Sequence, residues 1–531
     1  MKKGITILVA VILAAMVLSA CTPGGGGTSQ ATTTTSQGTG SSTTTTTGQT
    51  TGTTASEVKD KVTLTFLCQV NVDTEGYNVN DNPYINYIRE ANNLDIQLIS
   101  ESQNYPEVVN TIMVSGDLPD YVQLNRNQLF QLADSGLLMP LNDLLNERDY
   151  PDLMQGTDPL YWDLATVNGS IYGVPFGRYD KTPYISFTWT AWLEAVGMQP
   201  SDIRTIDDFT ELCRAYTEDD PDGNGRNDTY ALYSNSNVNT NGNSFSTSER
   251  TMGLMLLDAF DAGKHKIVAG ELQPRWITDQ YKDYLKYMAM LYKNGYIVPD
   301  YITKAQSDAE SEAFAGKAGI FGLFWSLSGR ADNREKLTPL APLQKADGSG
   351  QASYIYEAPV RHYIAITTSA KRPDRVLDLM NWAHTDEGAV YVHAGVETFD
   401  WELVNNEVTV KPDRVGKNWA WRFITLGMQK SVIDDQMAPI LEQSWGELAI
   451  SHLRLTEQYG AYDEIALASP IFPQLDDYDL KSLQDEYRNQ AIMNLIDIDA
   501  TWDAYVSSWR SSGGNEWIRL HTEWYNNVYN K

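Results

Sequence analysis

The chain has 531 residues, 42% of them hydrophobic and 11% aromatic, which is enough apolar material for a folded body larger than one core usually organises. With 69 Asp and Glu against 40 Lys and Arg the net charge is −29, a balance that excludes nucleic acid as a partner and holds no anionic ligand without a local basic pocket. Three cysteines and six scattered histidines, with no CxxC or HExxH, give no sign of a zinc site or a disulfide framework.

In chain order, the first element is a leader over residues 1–20. Lys2 and Lys3 form a positive start, and the apolar run from Ile5 to Val17 is too short to span a membrane. It ends in Leu18-Ser19-Ala20-Cys21, which resembles the lipobox of bacterial lipoproteins. That resemblance implies a diacylglycerol on Cys21 and a membrane anchor. Residues 22–57 are almost all Thr, Gly and Ser, a composition that buries too little surface to offset its chain entropy. Such a tether reaches roughly 30–35 Å. The folded body is therefore expected outside the cell, held close to the membrane.

The body opens with a strand over Val62–Leu67, a helix over Pro83–Asn93 and a strand over Leu94–Ile99. Tyr105–Ser115 places Val108, Val109, Ile112 and Met113 on one helical face, and Gly116 ends it. Asp120–Leu124 reads as a strand and Gln128–Asp134 as a helix. This alternation predicts α/β architecture with a mainly parallel sheet covered by helices. Cys68 and Cys213 sit in apolar-periodic surroundings, so two buried free thiols are expected rather than a disulfide.

Ser115-Gly116-Asp117-Leu118-Pro119-Asp120 and Ser135-Gly136-Leu137-Leu138-Met139-Pro140-Leu141 resemble the first lobe of extracellular solute-binding proteins of ABC importers, in the large carbohydrate-type family 1. The likeness continues through Val167–Pro175, a hairpin that leads into the hinge in that family, and Thr205–Phe209, a helix start with Thr205 as N-cap. It extends over Leu291–Pro299, Phe314–Gly319, Thr385–Gly388 and Ala500–Val506, so the motifs run in the family's order along nearly the whole body. The resemblance implies a two-lobed periplasmic-binding-protein-like fold of type II, with a hinge and a ligand cleft between the lobes. Lobe 1 is expected over 58–178 and 362–400, and lobe 2 over 179–361 and 401–531. It further implies a monomer, an oligosaccharide or sugar derivative as ligand, ABC permease subunits in the membrane as partners, and no catalysis.

Asp220-Pro221-Asp222-Gly223-Asn224-Gly225-Arg226-Asn227-Asp228 carries oxygen side chains at positions 1, 3, 5 and 9 of an EF-hand-like loop. Gly225 stands at the sharp turn and the Arg226 carbonyl at position 7. The twelfth position is Ala231, so the bidentate Glu is missing, and Thr229 is a weaker oxygen donor. A structural Ca2+ held by Asp220, Asp222, Asn224, Arg226 and Asp228 is one reading, and an Asp/Asn/Gly-rich turn without metal is the other.

Sugars bind by stacking on aromatic rings while planar polar groups bond their hydroxyls. Trp325 resembles the stacking tryptophan of maltodextrin binders, with core packing as its alternative. Arg178 and Tyr179 approach the hinge, Asn125 and Asn127 follow the Asp120 strand, and Glu397 and Trp401 lie in Gly395–Trp401. Thr398 stands where the family often has a second Gly. The Trp419-Ala420-Trp421 pair reads as a lid or as packing. No GxSxG elbow, P-loop or strand-linked GxGxxG is present. Two other classes stay open: a sensing lipoprotein that partners a membrane receptor, and a glycoside hydrolase, which needs only two carboxylates among many.

Overall fold

The computed structural model describes residues 59–69, 77–100, 105–177, 184–232, 254–300, 302–303, 306–324, 336–356, 360–405, 407–417, 424, 437–463, 465, 472–475 and 477–529. The strands that set the architecture are β1 (Val62–Cys68), β2 (Leu94–Ser100), β3 (Tyr121–Leu124), β4 (Val174–Gly177), β5 (Tyr184–Trp189), β6 (Tyr230–Leu232), β7 (Ala318–Phe324), β8 (Leu337–Pro339), β9 (Tyr354–Tyr356), β10 (Val360–Ile366) and β11 (Gly460–Tyr462).

One sheet has the order β2-β1-β3-β10-β4 and the other β8-β5-β7-β6. In the first, β1 runs parallel to β2 and β3, while β10 is antiparallel to both β3 and β4. In the second, β7 runs parallel to β6, and β5 is antiparallel to β7 and β8. Each sheet thus holds a single reversed strand among its described members. In each case that strand is the one the chain enters after leaving the other sheet: β5 directly after β4, and β10 after β8 by way of β9, which pairs with β11 in a separate two-stranded sheet. The expectation of a mainly parallel sheet is borne out, with this one exception in each.

The expected strands and helices of the first sheet form within a residue or two. Helix α1 (Pro83–Ala91) starts because the Asn82 side chain accepts from the Tyr84 and Ile85 amides, both at 3.1 Å, with Pro83 pre-set for the first turn. Helix α2 (Tyr105–Ser115) buries Tyr105, Val109 and Met113. Helix α3 (Arg126–Asp134) begins two residues before the expected start, because Asn125 and Gln128 close a capping box.

Alternate residues of the first sheet feed two cores, as the period of two requires. Leu64, Phe66, Tyr121, Ile364 and Ile366 pack on one face with Ile85, Leu377 and Met380. Leu67, Val122, Leu124, Tyr363 and Ala365 pack on the other with Val109, Leu129 and Leu132. Phe66 and Tyr121 stack with ring centroids 4.2 Å apart. The second sheet joins a single large core that includes Ile185, Phe187, Ile320 and Leu323 and extends to Trp276, Trp502, Trp509 and Trp517. Thr205 caps the helix Ile206–Glu218 as expected, accepting from the Asp208 amide at 3.1 Å. Cys68 and Cys213 are buried free thiols, and burial raises the pKa of each far beyond that of an exposed thiol.

Candidate functional site

In open α/β sheets, ligands bind outside the carboxyl ends of parallel strands. Here β3 ends at Leu124, β10 begins beside it with Tyr363 opposite Leu124, and β4 ends beside β10 with Gly177 opposite Val360. This edge is therefore also where the chain passes between the two sheets.

Asn125 lies at this edge, but its amide oxygen is committed to the helix: it accepts from the Gln128 amide at 2.9 Å, while Gln128 Oε1 accepts from the Asn125 amide at 3.0 Å. Asn127 is exposed. Between them stands Arg126, which sequence reasoning passed over. Its guanidinium lies 5.4 Å from the Phe130 ring centroid; burial lowers its pKa, and the neighbouring Tyr363 acts in the opposite sense. Burial in turn pushes the Tyr363 hydroxyl up to about 12, against the pull of Arg126. The signal was available in the Leu124-Asn125-Arg126-Asn127 stretch, the first polar residues after a buried strand.

Glu397 and Trp401 sit in one tightly bonded loop. Thr398 adopts φ +71°, the glycine-like conformation, at the position where the resembling family often has Gly. For a β-branched residue this is a strained backbone. Asp400 holds the loop: its carboxylate accepts from the Val396 amide at 2.8 Å, the Tyr84 hydroxyl at 2.9 Å and Arg414 Nε at 3.0 Å. Arg414 also lies 4.3 Å from the Phe399 ring centroid. Burial raises the Asp400 pKa, and these donors oppose the rise. Glu397 is exposed. Trp401 is 8% exposed and packs with Ala394, Val410 and Ile440; its indole Nε1 has no hydrogen-bond partner among the described residues.

In the 220–228 loop the acidic side chains turn toward Asn224. Asn224 Nδ2 donates to Asp222 Oδ2 at 2.8 Å and Asp228 Oδ1 at 2.9 Å. The Asp220 carboxylate accepts from the Asn224 and Gly225 amides at 3.0 and 2.8 Å. Asn224 Oδ1 accepts from the Arg226 amide at 2.8 Å, and Thr229 donates to the Tyr216 carbonyl at 2.8 Å. Desolvation, followed by the Asp220 and Asp228 charges, raises the Asp222 pKa. The oxygen donor set suits a hard cation, and the crowding of like charge would be relieved by one. The Asn224 amide, however, fills the centre, and among the described residues no group of three or more His, Cys, Asp or Glu side chains is arranged to hold a metal.

Cys21, Arg178, Tyr179, Trp325 and the Trp419/Trp421 pair lie outside the described residues.

Residues 84–397 match the model of a family described as bacterial extracellular solute-binding proteins. Lipoprotein LipO of Bacillus subtilis is 23% identical over 444 residues, covering 78% of this chain and 83% of that protein. The polygalacturonan/rhamnogalacturonan-binding protein YtcQ of the same organism is 23% identical over 441 residues, with 78% and 82% covered. A solved structure of the Streptococcus pneumoniae ABC-transporter substrate-binding protein FusA, an EF-hand mutant in complex with fructo-nystose, superposes with a TM-score of 0.65 at 18% identity, covering 88% of this chain and 100% of that one.

Proposed function

The chain belongs to the bacterial extracellular solute-binding proteins, and from that premise we propose that it captures an oligosaccharide or sugar derivative between two lobes and delivers it to the permease of an ABC importer. The observation that carries this reading is the pair of mixed sheets, each with a reversed strand at the point where the chain crosses over, so that the ligand edge and the crossing coincide. The similarity to YtcQ, a polygalacturonan/rhamnogalacturonan-binding protein, and to FusA, a fructooligosaccharide ABC transporter substrate-binding protein, supports an oligosaccharide in preference to a peptide.

Lobe 1 is proposed over 58–178 and 362–400, and lobe 2 over 179–361 and 401–531. One amendment is supported by contacts: residues 401–417 pack on the helix Asp386–Ala394 and are tied to Tyr84 through Asp400 and Arg414, so they travel with lobe 1. The proposed ligand contacts are Trp325, Arg178, Tyr179, Asn127, Glu397 and Trp401, with Asn125 left only its amide NH2 for a ligand. Cys21 carries the lipid, the leader 1–20 is removed, and residues 22–57 hold the body at the outer face of the cell membrane. Ca2+ in the 220–228 loop is proposed as structural, bound once the Asn224 side chain turns its oxygen inward.

Thermal unfolding against neutral and uronic oligosaccharides, with and without EDTA, tests both parts. A ligand at 100 times its dissociation constant adds about 2.7 kcal/mol. A rise with one glycan class and no products by chromatography supports capture without catalysis, whereas products, or no rise with any glycan, would refute it. A midpoint unmoved by EDTA in Ca2+ buffer would remove the metal.

A further inference from the structure

The helix Glu447–Tyr459 and the strand β11 that follows it touch both bodies of the molecule. On the helix, Ile450 and Leu453 pack with Ala389, Met437 and Leu441, where Ala389 belongs to the helix Asp386–Ala394. That helix is fixed to the first sheet's layer, since Tyr391 stacks on Tyr87 at 5.4 Å and donates to the Tyr84 carbonyl at 3.2 Å. From the same helix, Leu448, Leu455 and Tyr459 pack on the core of the second sheet, and the His452 ring lies 5.4 Å from Phe187 of β5.

The strand repeats the division residue by residue, because successive side chains point to opposite faces. Ala461 packs on the core of the second sheet, and Tyr462 packs on the first-sheet core that holds Leu67, Val122 and Tyr363. The Tyr462 hydroxyl lies 2.9 Å from the hydroxyl of Tyr161, a buried residue of the helix Pro159–Leu164 in that first core. Asp463 returns to the second body, where its carboxylate accepts from the His265 amide at 2.6 Å and meets His265 Nδ1 at 2.5 Å. His265 is wedged between Trp276 and Trp517, with ring centroids 5.2 and 5.5 Å away. β11 itself is paired in parallel with β9, the strand that leads into the second crossing.

We propose that residues 447–463 couple the two lobes and that the Tyr161–Tyr462 hydroxyl pair is the latch that holds them at the separation seen here. The anchor at Asp463 makes β11 a rigid arm of the second body. The arm reaches the first body through the Tyr462 hydroxyl, in partly buried surroundings where a hydrogen bond is stronger than in water. A contact formed at one lobe separation and broken at another biases the equilibrium between them, and a ligand then shifts that equilibrium by its own preference. The inference rests on the reading that the two sheets belong to lobes that move.

The test needs no ligand. In the full chain carrying Cys21→Ser, spin labels at Val114→Cys and Leu495→Cys report lobe separation; these positions are 87% and 66% exposed, on α2 of the first body and beside the second core, while Cys68 and Cys213 are buried. Tyr161→Phe and Tyr462→Phe keep both rings and remove one hydroxyl each. Each single variant is expected to move the ratio of lobe separations by about two- to tenfold, the range for one hydrogen bond, and the double variant no further than either single. Distance distributions that superimpose on the parent's would overturn the latch. So would effects that add in the double variant, or a lowered unfolding midpoint with unchanged distances. Because the readout is lobe separation, a protein that binds none of the glycans tested above would still give either answer.

Discussion

The two sheets solve the same topological problem with different chemistry. The first is covered on both faces, so its strands alternate between two mainly aliphatic cores, and its order is enforced by side chains such as Phe66 and Tyr121 that pack on one face only. The second joins one continuous core rich in Trp and Tyr, in which Trp276, Trp509 and Trp517 meet edge to face with centroids 6.0 to 6.4 Å apart. The difference teaches where each half is fragile: the first through lost volume, the second through added volume and through charge.

Phe66→Ala should give the largest loss, about 3–5 kcal/mol, because it opens a cavity against the stacked Tyr121 ring at a fully buried position of β1. Chemical denaturation measures it, and a loss below about 1 kcal/mol would show that the first sheet tolerates voids as an aromatic core might. Gly319→Ala tests the opposite property of the second sheet. A Cβ there runs into the Tyr216 ring and Trp192, and Tyr216 is held by a 2.6 Å hydrogen bond to Thr188. The expected cost is about 1–3 kcal/mol from overpacking, and an unchanged midpoint would mean that the ring moves freely.

Taken over one pH unit, the smallest effect is the pH response of His521. Its ring stacks on Trp517 at 3.6 Å and its Nδ1 lies 2.7 Å from the Trp517 carbonyl; burial first, then the nearby His265, lowers its pKa to about 3. An unfolded His titrates near 6.5. As pH falls below that value the unfolded chain takes up a proton that the folded one refuses, so stability is full above pH 6.5 and declines progressively toward pH 3. Between pH 6.5 and 5.5 the decline is about 1 kcal/mol from this group. His521→Gln should flatten the slope in a pH series of melts, and an unaltered slope would place the proton uptake elsewhere.

Much of the first sheet was legible because its strands and helices are short, periodic and bounded by their own caps. The start of α3 was read two residues late because Asn125 and Arg126 are polar, and only the reciprocal bonds with Gln128 reveal a helix already under way. The same bonds turn the Asn125 amide oxygen away from any ligand. Thr398 shows the reverse: its departure from a Gly pattern suggested an altered loop, yet the residue adopts the glycine-like conformation, its amide donating to the Trp401 carbonyl at 2.6 Å while Asp400 ties down the neighbouring Val396 amide.

By itself, the sequence determined the capping residues, the buried thiols, and a motif order that pointed to a solute-binding fold, and it carries the pattern from which a leader and lipid anchor are proposed. These are local features, set by propensity, periodicity and neighbours a few positions apart. Only the tertiary structure decided that β10 reverses beside β3, that residues 401–417 clamp onto Tyr84, and that Tyr161 meets Tyr462. Tyr161 and Tyr462 are 301 positions apart, and His265 and Asp463 are 198 apart. Contacts at such separation leave no periodic trace, because they depend on how whole layers dock and not on the order of residues within one element.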